Sequence, residues 1–166
     1  FVQLDTATTE KLIYSNDPDG KEMVISDAEQ PSETDKQRII PKKARTVIVY
    51  TVQMSQETLK RAPVVLGALT TNLTYTRNRN IQLRLQTFLM SLGYMALGEA
   101  STNALGIAPA FGVMAGLGEL SRYNRLLTPE YGPMVRVFKV LTDLPIAPTK
   151  PIDAGLLAFC KACKKC

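Results

Sequence analysis

Histidine is absent from this chain of 166 residues, which removes the commonest nitrogen ligand for zinc. Cysteine is nearly absent. There are three, all within the C-terminal run Cys160-Lys-Ala-Cys163-Lys-Lys-Cys166, so a disulfide would pair two and strand the third. Dense basic runs are lacking too. The formal charge is +5, and its only clusters are Lys42-Lys43-Ala44-Arg45 and the lysines from Lys161 to Lys165, which solvated faces explain better than a nucleic-acid footprint. No apolar run reaches the roughly 20 residues of a membrane span. The stretch without charge between Glu99 and Glu119 is broken by Ser101, Thr102, Asn103 and Pro109 and by Gly106, Gly112, Gly116 and Gly118, and it reads as a buried loop and helix. No secretory or twin-arginine signal opens the chain. It begins at Phe1, and we read it as an internal part of a longer redox protein.

What is present is ordinary globular material, 45% hydrophobic and 21% charged, enough for one sizeable core or most of one domain and the start of another. The cysteine spacing opens a ferredoxin-type motif, in which thiolates two residues apart wrap a loop around one iron–sulfur cube. The usual fourth ligand, followed by proline, would lie beyond Cys166. A zinc site would want that fourth ligand as well, and a free-thiol tail is the remaining alternative.

Three regions follow one another. Residues 1–44 are polar and turn-rich, and Lys11-Leu-Ile-Tyr14 and Lys21-Glu-Met-Val-Ile25 read as two short strands flanking the turn Ser15-Asn-Asp-Pro-Asp-Gly20. That acidic turn lacks the closing glutamate of a calcium loop. Residues 45–150 hold the core. Arg45 to Val52 is a β-branched run suited to a central strand covered on both faces. The spacing predicts a helix from Pro63 to Leu92, with Ile81, Leu85, Phe88, Leu89 and Leu92 on one apolar stripe and Gly93 as its stop. Tyr94 to Leu97 is a strand candidate, and Pro109 to Leu117 a small-residue helix that lets another backbone approach.

Arg125 to Thr128, the turn Pro129-Glu-Tyr-Gly132 and Pro133 to Thr142 read as strand, tight turn and strand. Period two then puts Arg136 among Met134, Phe138 and Val140, with Val135, Val137, Lys139 and Leu141 opposite. An arginine on an apolar face either meets an anionic partner or snorkels to water. Residues 151–166 follow a proline-rich connector, Leu144 to Pro151, and lead into the cysteines.

The pieces Ala115-Gly-Leu-Gly118, Leu127-Thr-Pro-Glu-Tyr-Gly132 and Leu141-Thr-Asp-Leu-Pro145, with Lys150-Pro-Ile-Asp-Ala-Gly155 and the cysteines, carry a resemblance. From about Arg45 to Cys166 the chain resembles the corrinoid and iron–sulfur reductive dehalogenases of organohalide-respiring bacteria, the tetrachloroethene branch in particular. The three shorter pieces are shared with epoxyqueuosine reductases, which use the same cofactors.

The resemblance implies an α/β (α+β) fold: a nitroreductase-like corrinoid-binding core, then the start of a ferredoxin-like module. It implies a base-off cobalamin with no protein histidine on cobalt, and two 4Fe-4S clusters, one of them held in part by Cys160, Cys163 and Cys166. It also implies a halogenated small-molecule substrate, a small integral-membrane anchor protein, a homodimer as one possible assembly, and a place on the outer face of the cytoplasmic membrane after twin-arginine export.

The family's catalytic trio matches Tyr75 as proton donor with Asn103 and Arg136, and Thr71 resembles a substrate-pocket threonine one helical turn before Tyr75. Tyr94 is the rival tyrosine. A phenol with an ordinary pKa near 10 is a poor acid at neutral pH, and a guanidinium beside it favours the phenolate left after the proton has gone. Two alternatives stay open. An epoxyqueuosine-type reductase would want a carboxylate near the proton donor and a basic face, and an electron-transfer module would hold a cluster without cobalt.

Overall fold

The structure, a computed structural model, describes residues 1–99 and 105–164 apart from the Glu10 side chain. Asn103 and Cys166 lie outside the described residues. In chain order the elements begin with β1 (Val2–Gln3), α1 (Thr6–Leu12), β2 (Glu22–Ser26), β3 (Ser32–Glu33), β4 (Gln37–Pro41) and β5 (Thr46–Gln53). Then come α2 (Gln56–Leu59), α3 (Val65–Ser91), β6 (Ala96–Gly98) and α4 (Ala108–Met114). The last are β7 (Glu119–Leu120), β8 (Leu126–Leu127), β9 (Val135–Thr142) and α5 (Leu156–Cys163).

The main sheet has the order β1-β5-β9-β6. Its spine is the antiparallel pair β5 and β9, in register from Thr46 opposite Thr142 to Gln53 opposite Val135. The β-branched run expected to be central is therefore β5, flanked on both edges. One face of the sheet meets α4, and here the apolar core gathers: Val47, Val49, Val137 and Leu141 pack with Leu105, Phe111, Val2 and Leu4. The other face carries Tyr50, Arg136 and Phe138 towards α3.

Three local expectations are corrected. Lys11 and Leu12 end helix α1 rather than forming a strand, because Asp5 caps that helix by accepting from the Thr8 amide at 2.7 Å. Strand β8 pairs with β7, at Leu120 opposite Leu126, and not with β9 across the Pro129–Gly132 turn. The turn itself closes as a single bridge between Thr128 and Gly132. At Gly112 of α4 it is the Leu126 side chain, not backbone, that occupies the room of the missing Cβ. Close backbone approach occurs nearby at Gly118, where a Cβ would strike the Leu127 carbonyl.

The largest correction concerns α3. Its expected apolar stripe does not face the core: of those residues only Leu89 is buried, while Ile81, Phe88 and Leu92 are exposed. The inward face is made instead of Gly67, Thr70, Thr74 and Asn78. Hydrogen bonds to the sheet side decide this orientation. Asn78 accepts from Tyr50 at 2.6 Å, the Ser55 amide donates to Thr70 Oγ1 at 3.2 Å, and Gln86 donates to the Ala96 carbonyl at 3.0 Å. Gln82 donates to the Glu99 carbonyl at 2.9 Å and accepts from its amide at 3.2 Å. Leaving any one of these groups buried and unpaired costs about 1–3 kcal/mol, so a helix ranked by hydrophobicity alone is turned the wrong way.

Among the described residues no helix is long and apolar enough to cross a membrane.

Candidate functional site

Helix α3 and strand β9 cross where Thr71, Tyr75 and Arg136 meet. Thr71 and Tyr75 share the inward face because they are four residues apart on a helix. Arg136 reaches up from the sheet: its Nη2 donates to Thr71 Oγ1 at 3.3 Å, and its Cζ lies 5.4 Å from the centroid of the Tyr75 ring. That separation is within cation–π range, so the guanidinium rides over the phenol ring. Phe138, two residues along β9, receives the Tyr75 ring edge-on, with centroids 5.6 Å apart and an interplanar angle of 80°. Three of the residues singled out from the sequence are thus brought together. Tyr94 follows the C-terminal end of α3 and lines a separate cavity with Met90 and Met95.

Arg136 does not behave as a snorkelling edge residue. It is only partly exposed, and its Nε is buried with no partner among the described residues. It also lines a cavity of about 350 Å³ with Met54, Leu59, Pro109, Arg125 and Met134. That volume and its mostly apolar wall suit a small apolar molecule with few polar handles. The unpaired Nε and the polar inner face of α3 fit a site completed by a group that these residues border but do not enclose.

Cys160 and Cys163 stand on the last turn of α5, three residues apart and so on one side of the helix. The loop expected around them is replaced by a helical turn that ends at Lys164, which has φ 50. Both thiols are free and half-buried and line a cavity of about 560 Å³ with Arg122, Tyr123 and Phe159. Two soft ligands bordering one cavity suit a thiophilic centre. Among the described residues no three His, Cys, Asp or Glu side chains converge to hold a metal.

Helix α5 has no side-chain cap of its own, since its N-cap is Gly155 with φ 77. Glu119 supplies one from afar, accepting from the amides of Ala154 at 2.7 Å and Leu156 at 3.1 Å.

Sequence reasoning missed a buried ion pair on the opposite face of the sheet. Lys139 is fully buried and pairs with Glu99, whose second carboxylate oxygen has no partner among the described residues. The Lys139 ammonium lies 5.8 Å from the centroid of Phe111. Burial pushes the Glu99 carboxyl up and the Lys139 ammonium down, each opposed by the other's charge. Burial also pushes the Tyr50 phenol up, with the charge of Glu99 adding to it. A signal existed: the alternation of β9 had already set Lys139 between Val137 and Leu141.

A family model described as reductive dehalogenase subunit matches residues 21–146 of the chain. The chain belongs to the reductive dehalogenase family. It is 42% identical over 146 residues to the tetrachloroethene reductive dehalogenase of Sulfurospirillum multivorans, covering 88% of this chain and 29% of that protein. To the trichloroethene reductive dehalogenase of Dehalococcoides mccartyi it is 36% identical over 128 residues, covering 76% and 23% respectively.

Among solved structures, the catabolic reductive dehalogenase NpRdhA superposes with a TM-score of 0.67 at 32% identity, over 72% of this chain and 18% of that one. A reductive dehalogenase structure described as suggesting a mechanism for B12-dependent dehalogenation matches equally well, with the same TM-score of 0.67. The chain therefore spans less than a third of the curated relatives it matches.

Proposed function

We propose that the protein to which this chain belongs reductively dehalogenates small chlorinated hydrocarbons, chloroethenes or chloroalkanes. The observation that carries the reading is the meeting of Tyr75, Arg136 and Thr71 at the crossing of α3 and β9, in a chain of this family. The reaction takes two electrons and one proton, replaces a carbon-bound chlorine by hydrogen and releases chloride. A corrinoid bordering this site, as in the B12-dependent neighbour, supplies the reducing power.

The chain's own residues do the rest. Tyr75 gives the proton to the carbon that loses chlorine. Arg136, held by Thr71, stabilises the phenolate that remains, because a fixed positive charge favours the anion in a site with little water. Asn103 orients the phenol or the substrate through its amide without adding charge. The apolar cavity beside Arg136 selects small halogenated molecules and keeps water from competing.

Cys160 and Cys163, with Cys166, hold one of two 4Fe-4S clusters that deliver electrons from a ferredoxin-like module following a nitroreductase-like core. Around this chemistry we place the enzyme on the outer face of the cytoplasmic membrane, held by a small integral-membrane anchor protein and able to form a homodimer.

The test is Tyr75→Phe in the full-length protein. Halide release should fall by at least about 100-fold, the contribution of a positioned general acid, while cobalt and iron content stay at wild-type levels. Retention of most activity would take the proton-donor role from Tyr75, and a protein holding iron but no cobalt would instead be an electron-transfer module.

A further inference from the structure

Tyr50 and Asn78 lie next to the site without belonging to it. Asn78 is a buried amide, 5% exposed, on the inward face of α3, and the Tyr50 hydroxyl donates to its Oδ1 at 2.6 Å. Asn78 follows Tyr75 by three residues, so it stands one turn further along the same face. The Tyr50 ring packs on Phe138 with centroids 6.0 Å apart, and Phe138 also takes the edge of Tyr75. Phe138 therefore touches both phenol rings. The helix around Tyr75 is pinned to the sheet on both sides, one turn before by Thr71 to Arg136 and one turn after by Asn78 to Tyr50.

Apolar packing does not do this pinning, because the outward positions Val65, Leu66, Leu69 and Leu73 of α3 are all exposed. Few groups then resist a rotation of α3 about its axis, and such a rotation would swing Tyr75 away from Arg136. A reacting group misplaced by about 1 Å can lose on the order of 100-fold in rate.

We infer that Tyr50 and Asn78 form a positioning pair that fixes the rotation of α3 and thereby the reach of Tyr75 towards Arg136 and the substrate. The inference rests on the proposed role of Tyr75, and neither member of the pair touches the reacting atoms. Tyr50→Phe removes only the donor. Asn78→Leu removes the acceptor at similar size, and Asn78→Asp keeps it.

In the cofactor-loaded full-length protein, Tyr50→Phe and Asn78→Leu should each lower kcat for halide release by about tenfold, part of the loss that misplacement allows, with KM nearly unchanged. The solvent deuterium isotope effect on kcat should rise, because proton delivery has slowed, and Asn78→Asp should recover most of the rate. Placed in the Tyr75→Phe background, Tyr50→Phe should cost nothing more, since the group through which it acts is gone.

A readout without turnover is the crystal structure of the Tyr50→Phe protein, in which the Tyr75 hydroxyl should move by roughly 1 Å relative to Arg136. An unmoved Tyr75, or losses that track cobalt content and melting temperature with no change in the isotope effect, would overturn the pair's positioning role. If Tyr75→Phe keeps full activity, the proton-donor reading fails by itself, and the displacement of Tyr75 still decides whether the pair places that side chain.

Discussion

At the scale of single residues, strand β9 presents two cations that meet different fates. Arg136 points to the α3 side, shares a threonine hydroxyl and an aromatic face, and keeps one donor unpaired. Lys139 points to the α4 side and is sealed with Glu99 beneath Phe111. The alternation of the sequence separated the two faces correctly, and Arg136 was legible as a site residue because an arginine among apolar neighbours needs a reason. Lys139 deserved the same scrutiny. What hid it is that its partner lies forty positions earlier, and no local pattern joins two strands at that separation.

The buried pair supports a test with a definite sign. Lys139→Met in the full-length protein leaves Glu99 buried without a counter-charge, which costs about 3–5 kcal/mol, whereas Lys139→Met with Glu99→Leu should recover most of that loss. The carboxyl of Glu99 already lies above its ordinary value of 4.5 through burial, with Lys139 opposing. Without Lys139 it rises further, so the folded variant holds a proton that the unfolded chain releases. Its stability is then fully present below about pH 4.5 and declines as pH rises through the folded value. Thermal unfolding of the single variant between pH 4 and pH 8 should show a falling midpoint, and a flat or rising profile would mean that Glu99 is not the group being titrated.

At the scale of elements, the sequence located the long helix within two residues at either end but not its orientation. The spacing of Ile81, Leu85, Phe88 and Leu92 is a genuine 3.6-residue pattern, yet the fold turns it outward or sideways because the polar inner face has specific partners on the sheet. Hydrophobic periodicity measures how much a face gains by burial. It does not register that Thr71, Tyr75, Asn78, Gln82 and Gln86 recur at the same spacing on another face.

Gln82 shows what that face does structurally. Its amide pairs with both backbone groups of Glu99 and so extends the edge strand β6 by one residue, and a Cβ at Gly98 would collide with it. Gln82→Leu should therefore cost about 2–4 kcal/mol, the penalty for two backbone groups left without partners. The Glu99 amide should exchange its hydrogen markedly faster while those of β5 keep their protection. Unchanged exchange at Glu99 would show that the clamp contributes nothing to holding the edge.

At the scale of the whole molecule, the connector expected to be stiff is also tied down. Thr149 Oγ1 donates to the Ala115 carbonyl at 2.6 Å, the amino group of Phe1 donates to the Thr149 hydroxyl at 2.8 Å, and a Cβ at Gly116 would strike the Lys150 carbonyl. Proline content made the extended form of this segment legible. Its anchorage was not, because each tie joins residues more than thirty positions apart.

The last of these ties has the clearest consequence. Glu119 accepts from the amides of Ala154 and Leu156 and thereby caps the helix that carries Cys160 and Cys163. A carboxylate at a helix N-terminus satisfies donors that would otherwise lack partners and complements the helix dipole, together worth about 1 kcal/mol or somewhat more at a partly exposed site. Glu119→Ala should therefore loosen α5 without disturbing the sheet: the Leu156 amide should exchange faster, and those of β9 should not change. Glu119→Gln keeps an acceptor oxygen and should lie between the two. If Cys160 and Cys163 hold a cluster, the same loosening should lower iron content in the full-length protein while cobalt content is kept. Equal loss of cobalt would mean that Glu119 supports the core rather than the orientation of the cysteine helix.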